Sequence, residues 1–135
     1  MPDADRRTES DQELTSELSA ELESSFGPHL AVVTARTAHA LEVCGYSALL
    51  VHSGSLLTIF EDDRTHPFEV HAPFKVWAPL SDVPDCWVYF EPGRAPLLVF
   101  QQPVDFWHKS AELPRAYWTR HFEIQIGRAS CRERV

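Results

Sequence analysis

The stretch PHLAVVTARTAHALEVCGYSALLVHSG, residues 28–54, sets two periodicities back to back. Leu30, Val33, Thr37, Leu41 and Cys44 recur at three- and four-residue steps, the spacing that lines one face of an α-helix. Pro28 suits the first position of that helix, where its missing N–H has no partner to lose, and Gly45 supplies a C′ stop. Ala48-Leu49-Leu50-Val51-His52 then has the length and composition of a buried strand, ended by Ser53-Gly54. A helix feeding a strand in this way predicts an α/β domain.

Downstream, Leu56 to Phe60 reads either as a second strand or as a turn into Glu61-Asp62-Asp63. Residues 64–85 hold prolines at 67, 73, 79 and 84, which predicts ordered loop packed down by Phe68, Phe74 and Trp77. Cys86 to Phe90 and Leu97 to Phe100 form a strand pair around the Pro92-Gly93 turn. Pro103 to His108 and Pro114 to Arg120 are two short helices opened by proline, and Phe122 to Gln125 begins another strand. The expected architecture is a mixed β-sheet flanked by helices.

Upstream, residues 1–25 form a separate acidic segment. Ser10-x-x-Glu13 is a capping-box pattern, and Leu14, Leu18 and Leu22 recur every fourth residue. The apolar stripe is thin among Asp, Glu and Ser, so a loosely docked or frayed helix is expected, with Gly27-Pro28 resetting the chain before the next one.

A length of 135 residues suits one domain, and 44% hydrophobic residues allow it a core. The formal charge of −8 argues against a nucleic-acid binder, which needs clustered Lys and Arg. The start MPDADRRTESDQEL lacks the apolar region of a secretory signal, so the expected location is cytoplasmic. Cys44, Cys86 and Cys131 are scattered and odd in number, as reduced thiols would be. The final ten residues, IGRASCRERV at 126–135, match the in-frame translation of a common sequencing-library adapter followed by its stop codon. The expectation is an artefactual tail with few native contacts, on an open reading frame interrupted at Gln125 within a longer gene.

Asp62-Asp63 is the one tight carboxylate pair with aromatic neighbours, Phe60 and Phe68. Neighbouring carboxylates share a proton, bind a cation or hold an amine; the alternative is a turn in which Asp bonds its own backbone. His66 and His71 are the closest histidines, but five residues apart they do not share a helix face, and no HExxH is present. His52-Ser53 lacks the G-x-S-x-G surroundings of a nucleophile elbow. The four tryptophans (77, 87, 107 and 118) could stack on a ligand, but buried packing is the default for rings spaced this way. These residues alone assign no active site.

Three stretches add a resemblance: ALLVHSG at 48–54, FEDDRTHPFEVHAPFKVWAPL at 60–80 and FQQPVDFWHK at 100–109. Their order and spacing, with the Cys86-Trp87 pair between them, resemble the N-terminal domain of bacterial Xaa-Pro dipeptidases, the prolidases, a group that includes the organophosphorus acid anhydrolases. The likeness runs from about Phe26 to Gln125. The strand pattern alone would also suit the front domain of a creatinase or aminopeptidase P relative, and a stand-alone module of this fold is the further alternative. The resemblance implies a homodimeric metallopeptidase that hydrolyses dipeptides ending in proline, with two divalent metal ions, manganese by expectation, in a following catalytic domain. There the metal pair activates a water and polarises the scissile carbonyl. It implies no catalytic and no metal-ligating residue in this chain, which on its own is expected to be inactive. It matches Asp63, the last residue of FEDD, to the family's substrate-pocket aspartate, and it gives this domain a role in dimer contacts and in reaching over the partner's active site.

Overall fold

In the computed structural model, which describes residues 3–102 and 112–127, a long helix α1 (Asp3–Cys44) precedes β1 (Leu49–His52), a short helix α2 (Ala72–Trp77), β2 (Trp87–Phe90), β3 (Leu97–Gln101), a 3-10 turn (Thr119–His121) and β4 (Glu123–Gly127). The strands form one sheet in the order β1-β2-β3-β4, with the first two pairings antiparallel and β3–β4 parallel. This is the mixed α/β architecture expected from the sequence. Val51, Val88, Phe90, Leu98 and Phe100 face one side of the sheet and are buried with Phe74 and Trp77 of α2 and with Phe26, Leu30 and Leu41 of α1.

Three sequence expectations need correcting. The acidic segment, described from Asp3, is not a separate helix: α1 passes through Gly27 and Pro28 without a break. A proline inside a helix costs about 3 kcal/mol, because it removes one backbone bond and crowds the preceding turn. Phe26 and Leu30 flank it and are both buried, and each contributes roughly 1.5–3 kcal/mol, enough to offset that cost. Pro28 itself is exposed, on a face where a freed carbonyl can be hydrated. The anchor extends to the second helix, where the His29 ring Nε2 meets the Val76 carbonyl at 2.8 Å.

The second correction is β1, which is an edge strand and not a buried one: Val51 is buried while Leu50 is 56% exposed. Its apolar composition reflects a sheet whose outer face also carries Trp87 and Tyr89. The third lies in residues 64–85, where Pro73 opens α2 and Phe74 and Trp77, three residues apart, bury one side of it. Four prolines masked a helix of only six residues.

Elsewhere the short helix expected at Pro114 to Arg120 contracts to the 3-10 turn at Thr119–His121, and the one at Pro103 to His108 lies outside the described residues. The hairpin around Pro92-Gly93 forms, with Gly93 at φ 87°. β4 continues two residues past Gln125, pairing Ile126 with Phe100 and Gly127 with Gln101. The Gly127 carbonyl also accepts from the Gln102 amide at 2.9 Å. The expectation of few contacts across 126–135 is corrected for these two residues; Arg128 to Val135 lie outside the described residues. Such pairing uses backbone groups and so demands little of side-chain identity.

Candidate functional site

Where β1 ends, the chain is fastened before it leaves the body. The wholly buried Ser53 hydroxyl donates to the Val83 carbonyl at 3.1 Å and accepts from the Cys86 amide at 2.9 Å. Its backbone N–H bonds the Cys86 carbonyl and its carbonyl receives the His71 amide. Gly54 follows at φ 108°, a backbone conformation in which a side chain would be strained. Ser53 therefore has a structural task. Its hydroxyl is committed to backbone groups and does not pair with His52, which removes the nucleophile reading.

His52 turns instead to Asp85. Its Nε2 lies 3.4 Å from Asp85 Oδ1, the same oxygen that accepts the Ser55 hydroxyl, and its ring stacks 4.2 Å from Trp87. Asp85 holds a left-handed φ of 58°, and its amide donates to the Gly54 carbonyl at 2.8 Å. This second fastening was not legible in the sequence, since His52, Ser55 and Asp85 meet only through the fold.

From that root a narrow ribbon projects. The His66 amide bonds the Leu57 carbonyl at 2.8 Å, Thr58 bridges Thr65, and the Ile59 amide bonds the Arg64 carbonyl at 2.9 Å. The four residues Phe60 to Asp63 close the tip, with Glu61 at φ 57° and the Asp62 amide donating to the Ile59 carbonyl. A cleft of about 350 Å³ lies along the stem, lined by Ser55, Leu57, His66, Pro67 and Glu69.

The two aspartates of the tip part company. Asp62 accepts a fork from the Arg64 guanidinium at 2.9 and 2.8 Å and, through its other oxygen, the Arg64 amide at 3.1 Å. The guanidinium, then the amide, hold the Asp62 carboxyl below the usual carboxylate value. The turn role weighed for this pair therefore belongs to Asp62. Among the described residues no donor reaches the Asp63 carboxylate, which is exposed at the tip beside Phe60. Phe60, which the sequence marked only as an aromatic neighbour of the aspartate pair, is 88% exposed.

The other candidates disperse. His66 and His71 are exposed, and among the described residues no three His, Cys, Asp or Glu side chains converge as metal ligands. The donors among the described residues therefore do not fit a divalent-metal site. Trp77 and Trp118 are core residues, Trp87 covers His52, and Trp107 lies outside the described residues. Burial pushes the Cys86 thiol up, as suits an inert core cysteine, while Cys44 is exposed. No helix among the described residues is long and apolar enough to cross a membrane.

The sequence profile of the "Xaa-Pro dipeptidase, N-terminal domain" family matches residues 24–132, which include the ribbon and the whole sheet. The chain belongs to that family. Similar full proteins include the Xaa-Pro dipeptidases of Aeromonas hydrophila, 45% identical over 101 residues, Serratia proteamaculans, 44% over 103, and Yersinia pestis, 41% over 104. These matches cover 75%, 76% and 77% of this chain but only 23%, 23% and 24% of the relatives. The chain thus spans about a quarter of the length of the Xaa-Pro dipeptidases it resembles. Half of α1, up to Glu23, precedes the family match.

Proposed function

We propose that this chain is the non-catalytic N-terminal part of a homodimeric, cytoplasmic Xaa-Pro dipeptidase, and that its ribbon lines the substrate pocket of the partner subunit through Asp63. The observation that carries this reading is the division of labour at the tip: Arg64 neutralises Asp62, whereas the Asp63 carboxylate has no donor among the described residues. A dipeptide presents a protonated α-amine, the complement such a carboxylate requires. The family match and the names of the relatives support the substrate class, a dipeptide ending in proline. The two divalent metal ions expected of the parent, manganese by that expectation, are assigned to no residue here, and no step is routed through them.

The test is Asp63→Asn in an enzyme made by joining this chain to the remaining three quarters of the Serratia proteamaculans relative. Loss of a charge-assisted contact of about 1.5–3 kcal/mol lowers kcat/KM roughly 10- to 150-fold while the fold stays intact. Asp62→Asn lowers it less. Unchanged kcat/KM in Asp63→Asn returns the residue to a surface turn.

A further inference from the structure

We propose that Phe60 is a specificity residue, its ring forming an apolar wall for the side chain that precedes proline while Asp63 holds the substrate amine. This deepens the proposed function and rests on it.

Phe60 stands apart from the chain's other described phenylalanines. Phe26, Phe74, Phe90, Phe100 and Phe122 are buried and Phe68 is half-buried, whereas Phe60 is 88% exposed. Leaving a large ring in water forfeits the transfer free energy that the other phenylalanines realise. The tip is also built to hold its shape. Backbone bonds at Ile59 close it, the Arg64 fork on Asp62 braces it, and the stem is rooted at Ser53 and Asp85. The backbone that carries the ring is thereby preorganised, which lowers the ordering cost of binding.

What occupies the tip follows from the neighbours of the ring. Glu61 and Asp63 are exposed within the same four residues, and the adjacent cation, Arg64, is spent on Asp62. A purely apolar protein surface docking on Phe60 would desolvate Asp63 without a partner, which is costly. The complement is a small cation carrying an apolar group beside it. The N-terminal residue of a dipeptide with an aliphatic side chain is that ligand.

The experiment uses the joined enzyme described above with Leu-Pro and Gly-Pro as substrates. Phe60→Ala is expected to lower kcat/KM for Leu-Pro about tenfold or more, the scale of a lost apolar pocket contact, with Gly-Pro changed less than twofold. Phe60→Leu is expected to retain most of the preference for Leu-Pro. Because the ring is exposed, thermal unfolding of both variants should match the parent. Equal losses on the two dipeptides would overturn the proposal, leaving the ring as a docking contact between subunits; so would no loss on either. Asp63→Asn measured in parallel separates the two levels. If it lowers kcat/KM on both substrates while Phe60→Ala does not discriminate, only the specificity role fails. If it is silent, the pocket-lining reading fails and this inference with it.

Discussion

At the scale of single residues, the neighbouring aspartates show how charge alone misleads. Asp62 and Asp63 are indistinguishable by type, yet one is held by Arg64 and the other is unclaimed among the described residues. A carboxylate whose folded pKa is depressed stabilises the fold above its unfolded value and loses that contribution as pH falls through the folded value. The Asp62 fork should therefore survive acidification past the ordinary carboxylate value of 3.8 and open only below it. A carbon-13 titration of the Asp62 carboxyl checks this: the midpoint lies below 3.8 and moves up in Arg64→Ala. A midpoint unaffected by removing Arg64 would dissolve the fork. Ser53 gives a second residue-scale prediction. Ser53→Ala leaves the buried Cys86 amide without the hydroxyl that accepts from it, a loss of about 1–3 kcal/mol measured by urea unfolding. A change within 0.3 kcal/mol, roughly the noise of such comparisons, would mean that the amide finds another acceptor.

At the scale of elements, the sequence exposed what depends on local periodicity. The helix before Gly45, the strand ending at His52 and the hairpin around Pro92-Gly93 follow from neighbours a few residues apart. It hid what depends on tertiary packing. Pro28 reads locally as a helix start, and only the burial of Phe26 and Leu30 against the body explains why α1 runs through it. The same limit applied to the root of the ribbon, where Asp85 lies 30 residues along the chain from Ser55 and meets it and His52 only in the fold. The helix prediction is a contrast. Phe26→Ala removes a ring packed 5.4 Å from His121 and 5.9 Å from Tyr117 and should cost about 3–4 kcal/mol. Leu18→Ala, on the exposed part of α1, should change stability by less than about 0.5 kcal/mol. Both are read from denaturant midpoints, and similar losses in the two variants would mean that the outer helix is seated against something in solution.

At the scale of the whole molecule, a four-stranded mixed sheet, its packed helices and a braced ribbon make a platform that presents a carboxylate and a ring. The family was legible from the motifs around Ser53, Asp63 and Trp77 because each is tied to a backbone demand: a buried hydroxyl at a strand end, a closed turn, a proline-opened helix. The chemistry was not legible, because among the described residues no set of metal ligands or nucleophile with its base comes together. Under the proposed function, catalysis resides in the part of the parent enzyme that this chain does not include. The direct measurement is turnover of Leu-Pro, with added manganese, by the purified chain and by the same chain joined to the rest of the Serratia proteamaculans relative. No turnover by the chain above the metal-only blank and clear turnover by the joined enzyme are expected; hydrolysis by the chain alone would contradict the proposed function.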